Sequence, residues 1–177
     1  MIRMSGNAPL VLAALLLLGL GAAARPAAAS SSIGLGVHAW RTVDDLGSQG
    51  FSGIRRDGIS YLLSYQYSPG ALLKIEADGE YFPSGFGGST HAAFSPQAYL
   101  LLGGFIYGGV GIGTTYSSDF SNHFSSPFYA ARAGVDLRLL PRFHLDVNAN
   151  YRFHAFNELR GVNTGTVTVG AIARLGI

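Results

Sequence analysis

The chain has 177 residues, which favours a single domain. It contains no cysteine, and this excludes disulfide bonds, thiolate chemistry and a lipoprotein anchor. Its 12 basic residues are nearly balanced by 10 acidic ones, and no basic cluster is longer than Arg55-Arg56, so no nucleic-acid partner is expected.

Residues 1–29 have the pattern of an export signal. Arg3 is the only charge before an apolar segment from Ala8 to Ala24, and Ala27 to Ala29 supply the small residues that signal peptidase accepts. An uncleaved anchor helix is the alternative, but the apolar segment is shorter than the ~20 residues that span a membrane comfortably. We therefore predict a signal peptide at 1–29, followed by one folded domain at 30–177.

From Ser32 onward, apolar residues recur at every second position, which is the period of a strand with two different faces. The clearest segment is 72–81, where apolar or small residues alternate with four charged ones. The segment 143–154 alternates in the same way between apolar and polar residues. The pattern predicts eight strands, at residues 33–43, 59–68, 72–81, 95–102, 105–116, 128–140, 143–154 and 163–177.

The connections between these strands alternate between short and long. Tight turns are predicted at 69–70, 103–104 and 140–142, with longer loops at 44–58, 82–94, 117–127 and 155–162. Outer-membrane barrels have this layout, with short periplasmic turns and longer extracellular loops. The sequence therefore predicts an all-β fold, an eight-stranded antiparallel up-and-down transmembrane β-barrel with both ends of the chain on one side.

The apolar face of the predicted barrel could point inward or outward. In a secreted lipocalin-like carrier the apolar face would point inward. Aromatic residues near the strand ends favour a membrane barrel instead, because they form girdles at the membrane interfaces. A closed barrel also satisfies every backbone amide within lipid. The aromatic residues assigned to the apolar face are Tyr61, Tyr65, Tyr67, Tyr81, Tyr116, Tyr129, Tyr151 and Phe153.

The glycine-aromatic strand 105–113, the strand pair within 129–153 and the closing segment 166–177 resemble the small bacterial outer-membrane β-barrel superfamily. This superfamily includes the transmembrane domain of outer membrane protein A and the outer membrane protein X group. The resemblance implies a place in the Gram-negative outer membrane, contact with its lipid and lipopolysaccharide, insertion by the barrel assembly machinery, and a monomeric state. Family members usually end on an aromatic residue, whereas this chain ends Arg174-Leu175-Gly176-Ile177.

The polar face carries enough charge to form an ionic network inside the barrel. Buried charges must be paired, and eight strands enclose an interior that side chains can fill. This favours a structural plug, with a gated, porin-like ion path as the alternative. We expect three arginines, at 132, 138 and 152, to neutralise the carboxylates at 76, 78 and 80. The predicted lumen network consists of Lys74, Glu76, Asp78, Glu80, Arg132, Asp136, Arg138, Asp146, Arg152 and Arg174.

Histidine side chains serve in proteins as catalytic bases or as metal ligands. Lipid A 3-O-deacylases of the outer membrane use a His-x-Ser pair with an acidic partner. Here Phe156 stands two positions after His154, so the nucleophile is missing, and Glu158 does not replace it. A lipid A modifying enzyme therefore remains the alternative to a non-enzymatic barrel. The remaining histidines have no ordinary zinc-site spacing, and no metal, cofactor or catalytic residue is predicted: His38 and His144 are placed in the lumen, and His91 and His123 in loops.

The loop at 117–127 is the candidate contact surface. Phe120, His123 and Phe124 stand among serines there, and loops on a rigid scaffold commonly carry binding. The alternative is a solvated connector whose aromatic side chains fold back on the rim. The sequence thus predicts a non-enzymatic outer-membrane barrel that contributes to envelope integrity or presents its loops for surface interaction.

Overall fold

The computed structural model describes residues 29–42, 57–86, 89–119, 123–154 and 166–177. Within these ranges no helix is long and apolar enough to cross a membrane. The predicted signal peptide lies almost entirely outside the described residues and stays a prediction. In the described ranges the chain forms β1 (Ser30–Thr42), β2 (Asp57–Ser68), β3 (Leu73–Phe82), β4 (Ala93–Gly103), β5 (Ile106–Gly113), β6 (Tyr116–Ser117), β7 (Phe128–Leu140), β8 (Phe143–Phe153) and β9 (Thr166–Gly176).

The strands form one closed antiparallel sheet. β1 pairs with β9 from Ser32 opposite Gly176 to Thr42 opposite Thr166, and this pairing joins the first strand to the last. The other neighbours pair in chain order, with β5 next to β7. The two-residue β6 pairs with β4 beyond the end of β5, so β5 and β6 together count as one strand of the barrel. This confirms the predicted barrel of eight strands.

The predicted strand at 105–116 is the main difference from the sequence analysis. The structure divides it into β5 and β6, because the chain leaves the sheet at Thr114 and Thr115. Thr115 instead exchanges hydrogen bonds with Ser125: its N–H donates to the Ser125 hydroxyl at 2.9 Å, and the Ser125 N–H donates to its carbonyl at 2.7 Å. The loop before β7 is thereby tied to the barrel wall.

Alternation along the strands places most large apolar side chains on the outside and most polar ones on the inside. Leu35 is 69% exposed on β1 and Val110 is 64% exposed on β5, whereas His38 and Ser64 are fully buried. A lipocalin-like carrier would instead have its apolar side chains inside the barrel. The apolar face therefore covers the outside of the barrel.

Aromatic residues form a row around the outside at the long-loop end. Tyr61 lies opposite Tyr81, Tyr81 opposite Phe94, and Phe94 opposite Tyr116 in the register of neighbouring strands. Tyr116 forms an isolated bridge with Phe124, which extends the row by one position.

Phe153 differs from the other aromatic residues assigned to the apolar face. It lies opposite Tyr129 in the register of β7 and β8, but it is only 4% exposed. Its ring lies 5.9 Å from that of Tyr129 and 5.8 Å from that of Tyr151. Phe153 thus packs between aromatic neighbours instead of standing free on the surface.

Gly134 creates space for an interior side chain. A Cβ atom at this position would lie 2.5 Å from the Tyr107 hydroxyl oxygen and 2.6 Å from the ring carbon that bears it. The Tyr107 ring crosses β7 here, and its hydroxyl donates to Asp146 at 2.6 Å. A larger residue at 134 would displace the ring and break this bond.

Candidate functional site

β3 supplies four of the predicted lumen charges from alternate positions. Lys74, Glu76, Asp78 and Glu80 are all buried, because the two-residue period of the strand directs them to the same side of the wall. Their partners come from β7, β8 and β9 across the barrel, so the ion pairs cross the lumen. Of the other predicted members, Arg132, Asp146, Arg152 and Arg174 are buried, Asp136 is half-buried and Arg138 is exposed.

Arg132 lies at the centre of the network. One terminal nitrogen of its guanidinium donates to Glu76, and the other donates to Asp78 at 2.7 Å. Its Nε donates to Asn150, and the guanidinium carbon lies 3.7 Å from the centre of the Tyr99 ring. All of these groups are buried, so one cation on β7 neutralises two carboxylates of β3 away from solvent.

Arg174 occupies the side of the network nearer the short turns. Its Nη2 lies 2.8 Å from Glu76 Oε2, and its Nε donates to Asp146 at 3.2 Å. Its Nη1 donates to the Ser64 hydroxyl at 2.8 Å. Glu76 is therefore shared by two arginines, one from β7 and one from β9.

Glu80 is the centre of a second set nearer the long loops. It accepts hydrogen bonds from Arg152, from Ser60 and, at 2.9 Å, from Gln97. His38 Nδ1 lies 3.1 Å from the same carboxylate. Ser60, His38 and Glu80 resemble a catalytic set by residue type only, because all three are fully buried and the serine donates to the carboxylate instead of to the histidine.

Lys74 forms the outermost pair on the short-turn side. Its Nζ lies 2.6 Å from Asp136, and it also lies 4.8 Å from the centre of the Tyr107 ring. His144 Nδ1 lies 2.9 Å from the other oxygen of Asp136. Lys74, Asp136 and His144 thus lie between the buried network and the open short-turn end of the barrel.

Arg138, predicted as a lumen charge, does not join the network. Its side chain is exposed, and its Nη2 donates to the backbone carbonyl of Pro141 at 3.0 Å. The register between β7 and β8 shifts between Arg138 and Leu140, immediately before the turn. At this end of the strand the long side chain reaches solvent, and Arg174 instead of Arg138 pairs with Glu76 beside Arg132.

An aromatic cluster lies inside the barrel at the long-loop end. The Phe82 and Phe86 rings stack with centres 4.1 Å apart, and the Trp40 ring meets Phe86 edge-on at 5.1 Å. The Arg152 guanidinium lies 4.9 Å from the Phe86 ring and 5.1 Å from that of Phe128, so this cluster covers the Glu80 set. The sequence pattern did not indicate this cluster, although Trp40 occupies an inward position of β1.

The short-turn end is open by comparison. A cavity of about 880 Å³ lies there, lined by residues of the turns and of the first and last strands. Lys74, Asp136 and His144 contribute to its wall, together with Arg138 and Arg142. The interior of the barrel is thus covered by aromatic rings at one end and reached by a polar mouth at the other.

Asp119 connects two of the long loops. It accepts hydrogen bonds from the backbone N–H of Thr90 at 2.6 Å and of His91 at 3.0 Å, and its second oxygen contacts His91 Nδ1. The His91 and Thr90 N–H groups hold the pKa of the Asp119 carboxyl well below its usual range. The link therefore persists to low pH and is lost only when the pH falls far enough to protonate Asp119. Sequence reasoning missed it because loop contacts follow no period.

The predicted contact loop is only partly described. Phe120 lies outside the described residues. His123 has a positive φ of 61° and is exposed, and the Phe124 ring meets Tyr116 edge-on at 5.3 Å. Phe124 therefore packs against the rim while more than half of its surface remains exposed. The exposed part of Phe124 fits a contact surface, whereas its packing on Tyr116 fits a connector that folds back on the rim.

The segment around His154 is only partly described. His154 is exposed just beyond the end of β8, while Phe156 and Glu158 lie outside the described residues. No group of three or more potential metal ligands occurs among the residues that the structure describes.

No model of a known protein family matches the sequence, and no curated protein does. Among solved structures, the chain is similar to Neisserial surface protein A (NspA), with 19% identity over 84% of this chain and 99% of that chain and a TM-score of 0.58. Ail, the attachment invasion locus protein of Yersinia pestis, matches with 16% identity over 85% of this chain and 100% of that chain, at a TM-score of 0.49. The N-terminal β-barrel domain of Pseudomonas aeruginosa OprF matches with 9% identity, 82% and 97% coverage and a TM-score of 0.48.

Proposed function

We propose, from the fold that this chain shares with small outer-membrane β-barrels, that the protein is a non-enzymatic barrel of the bacterial outer membrane with an interior closed by ion pairs. Its role is to support envelope integrity or to present its long loops at the cell surface, and not to conduct large solutes. The observation that carries this proposal is the pairing of Arg132 with both Glu76 and Asp78 inside a wall whose outside is apolar.

The apolar exterior supports the membrane location. Large hydrophobic side chains such as Leu35, Leu63, Val110 and Leu100 are exposed around the barrel, a surface that would promote aggregation in water. In lipid the same surface is favourable, and in the described part of the chain the pairing of β1 with β9 closes the sheet. The aromatic row at the long-loop end matches an interfacial girdle. Lipid and lipopolysaccharide are therefore the proposed surroundings of a monomer inserted by the barrel assembly machinery.

The charged interior supports a closed barrel. An ion that passes along the axis would have to displace Arg132 from Glu76 and Asp78, and Arg174 from Glu76. Removing one partner of a buried pair is strongly unfavourable. The aromatic cluster around Trp40 adds a second obstruction at the long-loop end.

The loops support a role at the surface. Asp119 fixes the loop after β6 to the loop before β4, and Ser125 fixes the following segment to Thr115. A rim held in this way presents His123 and Phe124 on a rigid scaffold. NspA, which shares this fold, is a Neisserial surface protein.

Fractionation tests the membrane location. After export directed by residues 1–29, the protein should be recovered with outer membranes and released only by detergent. It should also migrate differently on a denaturing gel with and without heating, because a closed barrel resists unfolding by mild detergent. Recovery as a soluble protein, with one migration position under both conditions, would contradict the proposal.

A further inference from the structure

The mouth at the short-turn end carries unneutralised positive charge. Among the described residues that line its cavity, Asp136 is the one carboxylate side chain, and it is already bonded to Lys74 and His144. Arg138 binds only the Pro141 carbonyl, and Arg142 forms no ion pair with any carboxylate in the described part of the chain. Among the described residues, these two arginines thus have no carboxylate side chain as a partner.

Basic side chains also stand side by side across the wall. In the strand register Arg138 lies opposite His144, and His144 lies opposite Arg174 on the next strand. His144 and Arg174 already contact carboxylates, whereas Arg138 contacts none in the described part of the chain. Arg138 is therefore free to bind an anion at this level, and arginine is well suited to phosphate because its guanidinium can donate two parallel hydrogen bonds.

The same cavity reaches the apolar exterior. Leu137 and Leu139 of the apolar side of β7 line it together with the arginines, and so does Phe105 of the turn before β5. Phe105 is 60% exposed and Leu139 is 54% exposed. A ligand in this cavity therefore meets cationic groups at the mouth and an apolar surface over the rim, which is an arrangement for an amphiphile with an anionic head.

We propose that this mouth binds an anionic phospholipid, with its phosphate at Arg138 and Arg142 and an acyl chain against Phe105, Leu137 and Leu139. The inference rests on the proposed function, because it requires the outside of the barrel to lie in lipid. The two arginines contribute to binding through charge and hydrogen bonds, and the apolar residues contribute by excluding water from the chain.

Native mass spectrometry of the detergent-solubilised protein tests this site. The protein is incubated with phosphatidylglycerol, with phosphatidylcholine of the same acyl chains, or with inorganic phosphate. The wild type should retain phosphatidylglycerol in preference to phosphatidylcholine. Arg138→Gln and Arg142→Gln should each lower the retention of phosphatidylglycerol about fivefold, from about 1 kcal/mol per basic residue. Both side chains lie outside the buried network, so the barrel should still fold.

Two further variants separate the parts of the site. Phe105→Ser should lower phosphatidylglycerol retention, and Arg41→Gln, which removes an exposed cation of β1 at the opposite end, should leave it unchanged. Equal retention of the two lipids by the wild type, an equal loss in Arg41→Gln, or displacement by inorganic phosphate at the concentration of the lipid would each overturn the inference. If the heat-dependent gel shift persists in that case, the membrane proposal stands and only the lipid site fails.

Discussion

Replacing Arg132 by methionine should lower the free energy of unfolding by about 3 to 5 kcal/mol, because Asp78 would then be buried without its cation and Glu76 would keep only Arg174. Methionine keeps much of the side-chain volume, so the loss reports on charge more than on packing. Urea titration of the refolded protein in detergent micelles measures it. Arg138→Met, which removes an exposed arginine from the same strand, should change stability by no more than about 0.5 kcal/mol.

Double-mutant cycles separate the pairs within the network. Glu76→Gln combined with Arg132→Met, and separately with Arg174→Met, should show coupling greater than about 1 kcal/mol, because both arginines contact that carboxylate. The losses of Glu76→Gln and Arg138→Met should be additive.

Conductance tests the same network. In a planar bilayer the wild type should conduct ions poorly, and Arg132→Met should conduct them better. Additive losses in all three cycles, with a large stable wild-type conductance, would contradict a closed interior.

Arginine in place of Val147 should destabilise the membrane-inserted barrel by about 2 to 4 kcal/mol. Val147 lies near the middle of β8 and is 41% exposed on the apolar side, so the new charge would enter the hydrocarbon region. Unfolding by urea in phospholipid vesicles measures the loss.

Leu175→Arg is the matched control for Val147→Arg. Leu175 is also apolar and exposed, but it lies one residue from the end of β9, near the membrane interface. There the loss should fall to about 0 to 1 kcal/mol, since the penalty for arginine depends on depth. Equal losses at the two positions would show that the outside of the barrel is not in a lipid bilayer.

The strands could be predicted from the sequence because a strand with one polar and one apolar face leaves a two-residue period. That period also placed Glu76, Asp78 and Arg132 on the inside, and the structural similarity to NspA confirms the resemblance at the level of fold. The partners across the lumen could not be predicted. Which residue meets which depends on the stagger between strands around the whole barrel, which no local pattern records.

Arg138 and Arg174 illustrate this limit. Both occupy inward positions of their strands, yet Arg174 reaches Glu76 while Arg138 lies beside a register shift at the mouth. The loop contacts were equally hidden, because Asp119 meets Thr90 and His91 through backbone groups that any residue possesses. The aromatic cluster involves Phe86, which belongs to a loop and follows no strand period.

Spin-label accessibility tests the central claim, that the apolar outside of this barrel faces lipid, most directly. The natural chain has no cysteine, so single cysteines can be introduced at Leu63, Val110 and Val147 on the wall, and at the exposed Ser126 in a long loop. In vesicles, labels at the three wall positions should collide often with oxygen, which dissolves in lipid, and rarely with a water-soluble nickel complex. The label at Ser126 should show the reverse. Frequent collisions with the nickel complex at all three wall positions would contradict the account.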